Sequence, residues 1–214
     1  MKASNNLPKQ HLRTILKERR AQLTTQERTK RSTIISDVVR SHAWWKKSQT
    51  VHIYCSFGAE VQTQGLIQSA FDEQKCVIVP IVSPASNRLE HRIITSQTRF
   101  EADSFGIPTP QHDLSDTHNS ITPAILTAMP CDCVIVPLLG FDAALNRIGY
   151  GKGYYDRFLQ ELLAESYARP HLIGLAFQCQ FVEEGISAEV HDIGLDAVIT
   201  EDGTVTDAVW ASPS

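Results

Sequence analysis

Apolar positions along the chain follow two periods, and their alternation predicts the architecture. Leu12, Ile15, Leu16 and Leu23 make a partial stripe at helical spacing behind Pro8, so residues 8–23 should form a helix. Lys9, Arg13 and Lys17 fall four apart on another face of it. Thr24-Thr25-Gln26-Glu27 reads as a cap with an acid in the first turn. It opens a second helix expected over 25–46, ending at Trp44-Trp45-Lys46-Lys47. Residues 51–57 have a strand's composition, broken by Gly58. Leu66, Ile67, Ala70 and Phe71 share one face of a helix over 62–74. The short apolar runs 76–82 and 133–138 have the look of buried parallel strands, and 89–95, 172–177 and 197–200 complete the strand set. Tyr155, Phe158, Leu159, Leu162 and Leu163 mark an amphipathic helix over 154–164. Residues 103–123 and 140–153 read as loops.

Helices thus alternate with strands that are apolar throughout. The expected fold class is α/β: a single domain over 1–214 with a mostly parallel sheet, helices on both faces in a Rossmann-like layered fold, and basic helices 8–46 packed on that body. Ligands in such sheets bind outside the carboxyl ends of the strands. That singles out the loops after Phe57, Leu138 and Phe177.

Composition narrows the function classes. An apolar content of 42% is enough for a core and speaks against a disordered chain. No apolar run reaches the ~18 residues of a membrane span, and the N-terminus lacks the apolar region of a secretory signal. Its basic residues, Ser and Asn would suit a transit peptide, but the early Glu18 and the helical pattern speak against one. The cysteines, 55, 76, 131, 133 and 179, are odd in number and form no C-x-x-C, so free thiols and a cytoplasmic location are expected. Net charge is −4, yet residues 1–50 carry 12 Lys/Arg against three acids, and the remainder 8 against 21. Three readings fit this asymmetry: a nucleic-acid arm, a basic helix docked on an acidic body, or a helix that helps build an anionic substrate site.

The densest chemistry lies in Arg147-Ile148-Gly149-Tyr150-Gly151-Lys152-Gly153-Tyr154-Tyr155-Asp156. It is not a P-loop, because Gly151-Lys152 is followed by Gly153 and the earlier glycine position holds Asn146. It is not the dinucleotide fingerprint either, because the spacing is G-x-G-x-G and a long loop separates it from the strand. The physics of those motifs still applies. Three glycines let backbone N–H groups approach an anion, Arg147 and Lys152 add positive charge, and a helix N-terminus follows. Asp156, in that helix's first turn, suits either a hard cation such as Mg²⁺ or simple compensation of the helix dipole. Glu60, at a strand's carboxyl end, and Asp192, ahead of the last strand, are the other acids of interest; position alone also fits plain surface carboxylates. Trp44, Trp45 and Trp210 read as packing residues, and His191 as a structural or solvated histidine.

These residues resemble the 5-formyltetrahydrofolate cyclo-ligase (methenyltetrahydrofolate synthetase) family. The specific match is Leu138-Leu139-Gly140-Phe141-Asp142 followed by residues 146–156. Weaker matches keep the family's order: Lys9-x-x-x-Arg13, Glu60-Val61-Gln62-Thr63, Phe105-Gly106-Ile107-Pro108-x-Pro110 and His191-Asp192-x-x-x-Asp196. Thr109 departs from the Glu or Gln common at its position, which puts any ligand role there in doubt.

The resemblance implies ATP- and Mg²⁺-dependent cyclisation of 5-formyltetrahydrofolate to 5,10-methenyltetrahydrofolate through a phosphorylated formyl group, with release of ADP and phosphate. It implies Lys152 and Arg147 as catalytic cations. Lys9, Arg13, Arg147, Gly149, Gly151, Lys152, Gly153, Tyr154 and Tyr155 would bind ATP. Cys55, Phe57, Glu60, Tyr150, Gly151, Lys152, Gly153 and Tyr154 would bind the folate, and Asp156 and Asp192 the Mg²⁺.

Two other readings stay open here. Another ATP-dependent phosphotransferase or ligase would share the glycine loop and differ around Glu60, so pterin binding discriminates. A non-enzymatic RNA-binding module led by residues 1–50 is disfavoured by their lack of interleaved aromatics and by the acidic body. A monomer without nucleic-acid or membrane partners is expected.

Overall fold

Eight strands make one sheet in the computed structural model, which describes residues 8–83, 86, 88–103, 106–111, 120–121, 131–165, 168–190 and 192–206. In chain order the first elements are helices α1 (Lys9–Ala21), α2 (Thr25–Ser41) and α3 (Ala43–Lys47), strand β1 (Thr50–Ile53) and helix α4 (Gln64–Asp72). Strands β2 (Cys76–Ser83), β3 (Arg88–Ile94), β4 (Phe100–Ala102), β5 (Pro108–Pro110), β6 (Ser120–Ile121), β7 (Cys133–Pro137), β8 (Gly140–Phe141) and β9 (Arg147–Ile148) follow. Helix α5 (Tyr154–Glu165), β10 (His171–Leu175), a short turn of 3₁₀ helix (Gln178–Gln180), β11 (Ala197–Thr200) and β12 (Gly203–Thr206) end the series. The sheet order is β12-β11-β10-β7-β1-β2-β3-β6. Strands from β11 to β2 run parallel, and β12, β3 and β6 add antiparallel edges. The expected α/β class with a mostly parallel sheet is what forms.

Alternation along each strand sends side chains to opposite layers. Cys133 and Ile135 of β7 join Val51, Ile53, Val77 and Ile199 beneath Ile35, Val39, Trp45 and Leu66 of α2–α4. Val134 and Val136 join Ile78 and Val198 beneath Phe158, Leu159 and Leu162 of α5. The basic helix α1 lies elsewhere: Leu12 and Leu16 pack on Leu139, Ile148, Val182 and Ile186, beyond the carboxyl end of β7. All five cysteines are free thiols. No helix among the described residues is long and apolar enough to cross a membrane.

Four sequence expectations need correcting. The second helix stops at Ser41, because His42 is extended (φ −70°, ψ 144°) and restarts the chain as α3. That bend carries Trp44 and Trp45 into the core, where Trp45 is fully buried. Its other end is as expected: Thr24 and Glu27 form a reciprocal capping box. The loop 140–153 contains the ribbon β8–β9. Part of 103–123 pairs as β5 and β6, and the hairpin strand β12 was not foreseen. These strands of two to four residues are too short for a period-two signal. Residues 54–57 leave the sheet. Trp210 and His191 lie outside the described residues.

Two histidines sit under α5. His52 Nε2 lies 3.1 Å from His91 Nδ1, and the Phe158 ring lies over both, with centroids at 4.8 and 4.5 Å. Burial pushes His52 well below the usual imidazole value, and it pushes His91 down to about 4. Both are therefore neutral in the folded protein, whereas the unfolded chain takes up protons below about pH 6.5. Stability from this pair is complete above that pH and declines as pH falls, by up to about 1.4 kcal/mol per pH unit for each histidine. Urea midpoints should be flat at neutral pH and drop on acidification, and His91→Phe should reduce the drop. An unchanged slope would count against the pair.

Candidate active site

Three loops at the carboxyl edge of the sheet were the candidates, and two of them build a cavity of about 660 Å³. The loop after β1 is pinned by Ser56 and Thr63: Ser56 N–H donates to Thr63 Oγ1 and Thr63 N–H to Ser56 Oγ, both at 3.1 Å. Between them a tight turn carries Glu60, whose Oε2 accepts Phe57 N–H at 3.1 Å. The loop after β7 is anchored by buried Asp142, which accepts from Ala144 N–H, Asn146 N–H, the Asn146 side chain and Ile186 N–H. The third loop supports from below: Gln180 donates to Leu138 O and Leu139 O at 3.0 Å. Further on from that third loop, Asp192 alone among the described residues reaches the cavity.

Every residue assigned a ligand role from sequence lines this one cavity. Lys9 and Arg13 come from α1, Cys55, Phe57 and Glu60 from the first loop, Arg147 to Asp156 from the glycine loop, and Asp192 from the far end of the chain. The Lys9 ammonium bridges Asp192 Oδ2 (2.6 Å) and Glu189 Oε1 (2.8 Å). Burial lowers its proton affinity, but those two carboxylates outweigh burial and raise it overall. Arg13 Nε donates to Gly149 O at 2.9 Å, tying α1 to the glycine loop. Gly151 (φ +90°) and Gly153 (φ +68°) both adopt left-handed backbone, and a Cβ at Gly153 would lie 2.8 Å from an Arg157 nitrogen. Gly153 O accepts Arg157 N–H, so α5 begins directly at the loop and aims its free N–H groups there.

Arg147, on β9, is buried and ion-paired with Asp156. Asp156 and Asp192 both border a second, contiguous cavity of about 330 Å³, together with Lys9, Arg13, Arg157, Gln160 and Glu189. Two carboxylates on an open space shared with Lys9, Arg13, Arg157 and Glu189 fit Mg²⁺, which keeps several waters and takes its remaining ligands from a bound phosphate. Among the described residues no group of three or more His, Cys, Asp or Glu side chains is placed to hold a metal by itself.

The inner part of the cavity is different in kind. Tyr54, Pro80, Val82, Leu89, Ile107 and Pro137 give it apolar walls. The Phe57 and Tyr150 rings stand 6.2 Å apart at 34°. Glu60 is 5% exposed and takes the Tyr150 hydroxyl at 2.7 Å. Burial pushes the Glu60 carboxyl upward from its ordinary pKa and so makes it a weaker acid, against the pull of the Tyr150 and Phe57 hydrogen bonds and of Arg20. Burial also pushes the Cys55 thiol up to about 12, so Cys55 lines the cavity as a protonated thiol and not as a thiolate nucleophile. The Tyr155 hydroxyl is buried at the cavity without a hydrogen-bond partner among the described residues.

Sequence reasoning missed several residues here. Glu189 was not singled out, yet it shares Lys9 with Asp192. Arg20, buried on α1, holds the Tyr150 hydroxyl. Its signal was readable: eleven residues after Lys9 is a rotation of only about 20° on a helix, nearer to Lys9 and Arg13 than exposed Lys17 is. In the G-I-P-x-P turn it is Ile107 that reaches the cavity, while the Thr109 hydroxyl donates to Ile107 O.

A parallel sheet whose carboxyl edge joins a glycine-rich, cation-bearing pocket to an apolar pocket with a buried carboxylate makes this an α/β protein with two chemically distinct subsites side by side. Residues 5–201 match the model of the 5-formyltetrahydrofolate cyclo-ligase family, and the chain belongs to that family. It is 30% identical over 198 residues to 5-formyltetrahydrofolate cyclo-ligase of Mus musculus, covering 92% of this chain and 95% of that one. It is 30% identical over 187 residues to the Escherichia coli K12 protein of the same name, covering 87% and 96%. The NMR structure of Aquifex aeolicus 5,10-methenyltetrahydrofolate synthetase superimposes with a TM-score of 0.75 at 26% identity, over 97% of both chains. The protein is accordingly an enzyme of the ligase class.

Proposed function

We propose that this enzyme cyclises 5-formyltetrahydrofolate to 5,10-methenyltetrahydrofolate at the expense of ATP, with Mg²⁺ as the metal. The supporting observation is the single cavity with two chemically distinct ends, which meet at Gly149–Gly153. The basic end takes the triphosphate. Lys9, Arg13 and Lys152 supply charge, and the glycine-loop and α5 N–H groups donate to phosphate oxygens. The apolar end takes the folate. Glu60 accepts N–H donors of the pterin, and Phe57 and Tyr150 flank its ring.

The formyl oxygen attacks the γ-phosphorus, the bond to the β-phosphate oxygen breaks, and ADP leaves. N10 then attacks the activated formyl carbon and gives up its proton, phosphate departs with the C–O electron pair and carries that proton away, and the ring closes. Phosphoryl transfer to an amide-like oxygen calls for positioning and charge neutralisation more than for a strong base. Arg147 and Lys152, which both line the cavity, provide it in this reading. Asp156 and Asp192 would hold Mg²⁺, which when bound neutralises phosphate charge. Arg147, ion-paired with Asp156, borders the same cavity.

Purified protein mixed with Mg-ATP and 5-formyltetrahydrofolate should develop the near-UV absorbance of the methenyl product, and only when all components are present. Folded protein that yields no product would refute the assignment. Product without ATP would refute the phosphoryl-transfer step.

A further inference from the structure

The basic helix α1 also reaches the opposite end of the cavity. Arg20 is only 6% exposed, its Nε has no partner among the described residues, and its Nη2 donates to the Tyr150 hydroxyl at 2.8 Å. The guanidinium also lies over the Tyr150 ring, 5.7 Å from its centroid. Tyr150 in turn donates to Glu60 Oε1 at 2.7 Å. Arginine has no acceptor, so the tyrosine oxygen must accept from it, and a phenol has one proton to give. That proton is therefore committed to Glu60. With Oε2 taken by Phe57 N–H, each carboxylate oxygen has one protein donor and keeps one lone pair for the ligand. The positive charge also opposes the cost of burying the carboxylate.

We infer that Arg20 is a positioning residue: through the Tyr150 hydroxyl it holds Glu60 ionised and oriented as a two-oxygen acceptor for the adjacent N–H donors of the bound heterocycle. This rests on the folate reading of the inner pocket. Arg20 itself is not part of the cavity lining, so it acts only through Tyr150. It shares α1 with Lys9 and Arg13, so one helix serves the nucleotide end directly and the heterocycle end at one remove.

The test separates the two ends. Arg20→Met should raise KM for 5-formyltetrahydrofolate about tenfold to a hundredfold, the range for a lost hydrogen bond to a charged group. KM for ATP should stay within about twofold, since no nucleotide contact is touched. The acid limb of kcat/KM for the folate should move to higher pH. Arg20→Lys, which keeps the charge, should recover part of the loss. Combining Arg20→Met with Tyr150→Phe should cost little beyond Tyr150→Phe alone, because both cut one chain. Equal rises in both KM values, an unmoved acid limb or full additivity would overturn the inference.

A carbon-NMR titration of the Glu60 carboxyl needs no substrate and judges the relay even if the wild-type chain fails to turn over folate. A midpoint moved to higher pH in Arg20→Met and Tyr150→Phe supports it, and an unmoved midpoint overturns it. If Arg20→Met does not fold, Arg20→Lys and Tyr150→Phe carry the same readouts.

Discussion

Replacing Lys152 by alanine should lower kcat by about a hundredfold to a thousandfold, the scale for removing one group that stabilises transition-state charge. The side chain is exposed at the crest of the glycine loop and borders the main cavity. Its backbone carbonyl accepts from Arg157, which the substitution leaves intact. Thermal unfolding should therefore match the wild type, so the rate loss reports chemistry and not folding. Lys152→Arg should recover activity only in part, because a planar guanidinium does not reproduce a compact ammonium. A Lys152→Ala enzyme with near-normal turnover would remove Lys152 from the catalytic group and shift the burden to Arg147.

Asp156 should show a double effect. Asp156→Ala leaves the buried Arg147 guanidinium without its carboxylate. Because the Asp156 side chain is 25% exposed and borders an open cavity, the expected loss is about 1–3 kcal/mol, below that for a fully enclosed pair. Asp156→Asn keeps a hydrogen-bond acceptor for Arg147 and should be the more stable of the two. Both variants should need at least about tenfold more Mg²⁺ for half-maximal rate, the scale for losing one supporting or ligating carboxylate at a metal site. Rates titrated against Mg²⁺, alongside thermal midpoints, separate the two roles. Wild-type Mg²⁺ dependence in Asp156→Asn would make Asp156 a partner of Arg147 and nothing more.

Much of the architecture was readable along the chain because it is local. Helical stripes, apolar runs and the Thr24–Glu27 box depend on residues a few positions apart, and those elements form close to where they were expected. What escaped was short or context-driven. The β4–β5 and β8–β9 ribbons have too few residues for a period. The break at His42 serves the burial of Trp44 and Trp45, which is a tertiary demand.

For the site, the sequence by itself determined the ingredients: a glycine-rich anion loop ahead of a helix, a basic first helix, and acids at 60, 156 and 192. It also excluded two familiar phosphate loops by spacing, and the family resemblance supplied ligand roles. Only the tertiary structure decided which ingredients meet. Lys9 and Asp192 stand 183 positions apart and touch because parallel strands deliver their loops to one edge, where α1 lies across them. No periodicity encodes such a contact. The same holds for Arg20, whose charge along the chain looks like one of many, and whose burial against Tyr150 and Glu60 exists only once α1 is packed there.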